Sequence, residues 1–158
     1  MKKENWFSYA ETVNAKNPPK LCAEIMRIVL SKRYFEVNAE ETENGMRVAC
    51  NPTKKSFSEP RRNNFIPYMM VDLQETETGT KLDFRCEATN ALRMIAIALF
   101  VIAILVAGVV LFKAITAGKL GFSVLFAVLM PVIIRIFIKS EVKATSKLLI
   151  SEISRMLD

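Results

Sequence analysis

The chain of 158 residues contains no histidine, three cysteines, five glycines and a single tryptophan. Without histidine, neither a Ser-His-Asp triad nor a Cys-His pair can be assembled. Cys22, Cys50 and Cys86 are widely spaced and odd in number, and no CxxC-type metal spacing occurs. Free thiols of this kind suit a reducing compartment. Cys86 alternates with Leu82 and Phe84 and reads as a small core residue. The few glycines complete neither GxxxxGK nor GxGxxG, so a loop that would cradle phosphate is missing. The carboxylate pairs Glu40/Glu41 and Glu75/Glu77 fall in turn-like, solvated segments, where acid–base catalysis finds no perturbed group. Catalytic and ligand sites need buried, convergent polar groups. The expectation is therefore a protein that is not an enzyme, with no catalytic residues, no metal, no cofactor and no small-molecule substrate. The opening MKKENWFSYAETV has two lysines but no apolar stretch behind them, so it does not read as a signal peptide.

What the sequence does have is a concentration of apolar residues. They make up 51% of the chain beside 24% charged residues, with a mean hydropathy of +0.23. These figures fit together only if the apolar residues are segregated. Met94 to Phe112 has no charged residue, and Leu120 to Ile138 has only Arg135. Each run, as a helix, would rise roughly 28 Å, close to the hydrocarbon thickness of a bilayer. A domain this small cannot enclose two helices that are apolar all round. The spacing thus predicts membrane spans at 94–112 and 120–138, within a segment 92–138, joined by a turn at 113–119; Lys113, Gly118 and Lys119, with Gly121 just beyond, are the residues a short helix–helix connection would carry. A connection of this length forces antiparallel neighbours. Ala103 and Ala107, four apart, are candidates for a close-packed seam.

The net charge is +6, and residues 92–158 carry eight Lys/Arg against three Asp/Glu. Positive charge travelling with the apolar half suits anionic lipid headgroups better than a nucleic-acid groove. Arg85 and Arg93 precede the first run; Arg135, Lys139, Lys143 and Lys147 lie at and after the end of the second. The turn has only Lys113 and Lys119. Read by the positive-inside rule, this predicts a two-pass protein of the plasma membrane with both termini cytoplasmic. Pro131 removes a backbone donor inside the second run and is expected to kink it. Arg135 is a candidate intramembrane charge. Its place in the last turn makes snorkelling the simpler account, with a functional charge as the competing one.

Residues 1–91 read as a cytoplasmic α+β domain. Residues 17–34 form a helix, with Asn17 as a cap and Pro18 or Pro19 in the first turn. Its apolar face collects Leu21, Cys22, Ile25, Ile28 and Val29. Strands follow at 34–37, 46–50, 64–73 and 80–88. Glu43-Asn44-Gly45 and Gly79 mark turns, and Pro67 pushes its strand toward an edge or bulge. The result is a small antiparallel sheet with one wet face. The last segment, 139–158, is an amphipathic helix with a stripe of Val142, Leu149, Ile153 and Met156. One helix is too narrow to cover four strands, so this second helix is expected to pack on the domain. Lying flat on the membrane is the competing placement. The loop 51–67 contains Lys54, Lys55, Arg61 and Arg62, which are either a solvated loop or a patch facing anionic lipid or an acidic partner.

The stretch RNNFIPYMMVDLQETETGTKLDF (62–84), followed by the two apolar runs and a terminal helix, resembles a group of small uncharacterised bacterial membrane proteins. They carry an Arg-Asn-Ser-Phe-x-Pro strand, a Gly-Thr hairpin and a two-span hairpin. The likeness covers about the last 100 residues by motif order and departs at Asn64, where serine is usual. It implies the architecture and no activity. The expected function is a membrane-anchored cytoplasmic interaction or regulatory module, an accessory subunit of a larger complex, whose partners are the bilayer and a protein or further copies of itself. The alternative is an oligomeric transporter or channel subunit.

Overall fold

The computed structural model describes residues 7–32, 35–53, 67–118 and 120–157; the side chains of 91, 120–124 and 126 are outside the description. In chain order the elements are β1 (Ser8–Ala15), α1 (Pro19–Ser31), β2 (Phe35–Thr42), β3 (Gly45–Pro52), β4 (Tyr68–Thr76), β5 (Gly79–Glu87), α2 (Asn90–Thr116) and α3 (Leu120–Leu157).

Five strands form one sheet in the order β1-β5-β4-β3-β2, with every pair antiparallel. The sequence reading supplied four of these strands. The fifth, β1, lies on the far edge beside β5, pairing Ser8 with Glu87 and Ala15 with Thr80. Its alternation is weak because Glu11 interrupts the inward series Tyr9, Val13, Ala15. The other strands follow their alternation: Val48 and Cys50, Met69, Val71 and Leu73, and Leu82, Phe84 and Cys86 are all buried on one face. Strand β4 begins only at Tyr68, one residue after Pro67, since proline has no N–H to give a ladder.

Both strand hairpins turn over two residues, closing Thr42 on Gly45 and Thr76 on Gly79. Gly45 (φ 143°) and Gly79 (φ 138°) adopt backbone angles that side chains resist. A Cβ at Gly79 would collide with the carbonyl oxygen of Ala15, and one at Gly45 with that of Leu73.

Helix α1 crosses the sheet from the β1 edge to the β2 edge. Its buried line is Pro19, Cys22, Ala23, Met26 and Leu30. Leu21 and Ile28, expected on that face, are 43% and 57% exposed. The line 19-22-26-30 rotates the buried face away from them. Pro18 is the N-cap residue and makes no side-chain cap. Asn17, expected there, instead donates from its side chain to the Leu157 carbonyl (2.9 Å), at the far end of α3.

The two-span hairpin expected before a separate C-terminal helix is not seen. Segments 120–138 and 139–158 are not a span followed by a new helix: α3 is one helix of 38 residues that continues through Pro131. Among the described residues, one helix, Leu92–Thr116, is long and apolar enough to cross a membrane. A single candidate does not support the expected two-pass topology or the placement of both termini derived from it. The physical reason lies in the second run. Its apolar residues share one continuous helix with the residues that cover the sheet, so its length and hydropathy belong to no separate element.

The C-terminal half of α3 lies on the same sheet face as α1. Leu149, Ile150, Ile153 and Leu157 join the sheet and α1 in one core. Val142 packs with Ala88 and Leu92, where α2 leaves the sheet. Met156, expected in this stripe, is 52% exposed, and Leu157 takes its place.

Candidate functional site

Two surfaces stand out once the core is accounted for. The first is α2. Thr89 starts it, its hydroxyl oxygen accepting from the Leu92 N–H at 3.3 Å, a side-chain N-cap. Glu87, the last residue of β5, forms an ion pair at 2.7 Å with Arg93 in the first turn of α2. Beyond this point no charged side chain occurs until Lys113. Met94, Ile95, Ile97, Leu99, Ile102 and Leu105 are exposed, and the exposure continues through Val109, Phe112 and Ile115. Only 17% of the apolar window is buried within the structure. A helix in the core of a protein would show the reverse. Contiguous apolar surface on this scale marks an interaction with lipid or with other protein.

Beyond the first turn of α2, the buried residues among those described are all alanines. Ala96, Ala103, Ala107 and Ala114 are buried, as is Ala127 on α3. The two helices pack against one another. Alanine lets the backbones approach closely and leaves the large side chains pointing outward. Ala103 and Ala107 had been singled out by their spacing, and both lie in this seam.

The second surface is the sheet face that no helix covers. One lateral row crosses all five strands as Thr12, Asp83, Asp72, Arg47 and Glu40. Asp72 and Asp83 are directly opposite one another, a repulsive placement for like charges. Cations and a hydroxyl offset it. Arg47 reaches Asp72 at 2.7 Å and Arg85 reaches it at 3.2 Å. Thr12 donates to Asp83 at 2.6 Å, and Lys81 pairs with it at 3.1 Å. The Thr12 hydrogen bond, helped by Lys81, holds the Asp83 carboxyl below its ordinary range. The Arg47 guanidinium is pushed up by its hydrogen bond to Asp72. Next to this row, Tyr68 and Met70 are exposed at 39% and 41%. The face is therefore polar and balanced in sign, with a small apolar patch.

The cysteines do not contribute a reactive site. All three are free and buried. Burial pushes Cys50 up to about 12, with a smaller contribution from Cys86. It pushes Cys86 up to about 11, against the opposing effect of the Ser146 hydroxyl. Cys22 is raised as well, again by burial first. Thiols held protonated in this way are inert nucleophiles. Among the described residues no group of three or more His, Cys, Asp or Glu side chains converges to hold a metal ion. An open cleft between β1 and α3 brings Glu11 together with Lys147, Ser151, Ser154 and Arg155. Both serine hydroxyls donate to carbonyls of their own helix, those of Leu148 and Ile150.

The basic loop residues Lys54, Lys55, Arg61 and Arg62 lie outside the described residues. Arg135 is exposed on α3. The open sheet face was missed in the sequence reading as a site. Its signal was the outward series Asp72, Asp83 and Arg85, which alternates with the core residues of β4 and β5.

No protein-family model, curated protein or solved structure matches the chain.

Proposed function

We propose that the protein is a membrane-anchored interaction or regulatory module, with α2 embedded in lipid and the sheet domain held at the membrane surface. The observation that carries this reading is the exposure of α2. Large apolar side chains cover most of its surface from Met94 to Ile115, and each favours leaving water by about 1.5–3 kcal/mol. Lipid can satisfy all of them at once, and the helix satisfies its own backbone groups internally. The Glu87–Arg93 pair at the first turn suits the polar boundary of a bilayer. The uniformly apolar exposed surface of α2 supports an anchor over the channel alternative, since a pore lining needs polar groups in contact with water. The uncovered face of the sheet, with Tyr68 and Met70 amid paired charges, is what the anchored domain offers to a protein partner. Such a surface, mixing an aromatic residue with balanced charge, is the composition of many protein interfaces.

The test is extraction from membranes of cells expressing the full chain. The protein is expected to stay with the membrane through high salt and alkaline carbonate, and to be released by a mild detergent. Recovery in the aqueous fraction without detergent would overturn the reading, and would leave the apolar surface of α2 to be covered by other protein.

A further inference from the structure

Helix α3 changes character abruptly below its apolar portion. Ile136 and Phe137 are exposed apolar residues; Lys139, Lys143 and Lys147 follow, all exposed. Residues four apart advance about 40° around a helix and about 6 Å along it. The three lysines thus form a ridge roughly 12 Å long. They lie on one flank of the stripe Val142, Ser146, Leu149 and Ile153 that packs inward. Glu141 and Glu152 fall on the other flank by the same geometry. The acidic side chain that shares a cleft with Lys147 is Glu11, whose carboxylate accepts from the Tyr9 hydroxyl at 2.9 Å. No ion pair involves Lys139, Lys143 or Lys147 among the described residues. The core packing of α3 does not use their charge.

We propose that Lys139, Lys143 and Lys147 bind anionic lipid headgroups, so that the anchored domain selects negatively charged membrane. The inference rests on the membrane reading above and deepens it. Two observations point to the bilayer surface as the occupant. The ridge is continuous with the exposed apolar surface of α3, and its first lysine comes two residues after the last exposed aromatic, Phe137. Charge complementarity then selects the lipid: three ammonium groups on one flank, none of them in an ion pair among the described residues, match phosphate and phosphoglycerol headgroups, not a neutral zwitterionic surface. Attraction fades over a Debye length of about 8–10 Å. With Lys139 nearest the apolar boundary and Lys147 farthest, the contributions are graded along the ridge.

The experiment uses the full chain in mild non-ionic detergent. It is diluted into a mixture of two vesicle populations separable by density, one of pure phosphatidylcholine and one of phosphatidylcholine with phosphatidylglycerol. The chain is expected to favour the anionic population, and added salt to bring the ratio toward one. Lys139→Gln is expected to lower the preference by roughly fivefold, and Lys147→Gln by less. Circular dichroism of each variant checks that these exposed substitutions leave the fold intact. Equal uptake by both populations would overturn the ridge and leave the anchor standing. A preference unchanged in the Lys139→Gln/Lys143→Gln/Lys147→Gln variant would also overturn it, assigning the selectivity to other residues. Uptake by neither population would sink the membrane reading, and the ridge with it.

Discussion

The Asn17 side-chain amide donates to the carbonyl oxygen of Leu157 at 2.9 Å, joining two residues 140 positions apart. Leu157 ends α3, and the last carbonyls of a helix have no partner within it. The backbone oxygen of Asn17 accepts from the Thr80 hydroxyl at 2.6 Å and from the Cys22 thiol at 3.5 Å. One residue between β1 and α1 thus fastens α1, β5 and the end of α3. Asn17→Ala removes the amide donor and leaves the backbone acceptor in place. The expected cost is about 1 kcal/mol, with faster amide hydrogen exchange concentrated in residues 150–157. Asn17→Asp, which sets a carboxylate against a carbonyl, is expected to cost more.

Ile153 and Met156, expected together in one stripe of the C-terminal segment, have different surroundings in the structure. Ile153 is buried in the sheet core and Met156 is exposed. Ile153→Ala is expected to destabilise by about 2–5 kcal/mol, through lost burial and the cavity left behind. Met156→Ala is expected to stay within about 0.5 kcal/mol of the parent. Thermal unfolding of both variants in the same detergent checks the contrast, and equal effects would refute the observed placement.

Gly79→Ala meets two obstacles, a positive φ and a Cβ driven into the Ala15 carbonyl. The strained backbone alone costs about 1–3 kcal/mol, and the collision forces β1 away from β5. Protease cleavage within residues 8–15 should accelerate well before the rest of the sheet opens. Substitution at Gly118 is a control: it also has positive φ (67°), but a Cβ there meets nothing within 4 Å.

Stability should fall at both ends of the pH range. Asp83 has a folded value below its ordinary 3.8, so its contribution is present above that value and is lost as pH falls through the folded one. Thr12→Val removes the largest cause of the shift and should move acid unfolding to higher pH. The thiols of Cys50 and Cys86 are raised from 9.0 to about 12 and about 11. Above pH 9 the unfolded chain loses thiol protons that the folded chain keeps, so stability falls as pH rises toward those values. Cys50→Ala should flatten this alkaline limb, measured by denaturant unfolding at stepped pH.

Period-2 alternation made β5 readable, because Leu82, Phe84 and Cys86 all face a core while Lys81, Asp83 and Arg85 face water. Strand β1 was not readable: Glu11 occupies an inward position at the sheet edge, where its carboxylate can still reach the Tyr9 hydroxyl (2.9 Å). Local pattern also misplaced the face of α1. Leu21 and Ile28 are as apolar as Met26 and Leu30, and only the neighbouring sheet decides which pair is buried. Asn17 looked like a cap for the helix it precedes because sequence reasoning pairs a side chain with its nearest open N–H.

The sequence by itself determined the apolarity of 94–112, the lack of histidine-based chemistry, the two glycine turns and the strand character of 46–50 and 80–88. Each of these depends on neighbours within a few residues. Only the tertiary structure decided that β1 completes the sheet, that Asn17 closes the end of α3, and that the second apolar run belongs to one 38-residue helix rather than to a separate span. Length and hydropathy measure what a segment would gain by leaving water. They do not say where that segment ends as a rigid element, or which distant surface it meets, because that is set by packing between parts of the chain far apart in sequence.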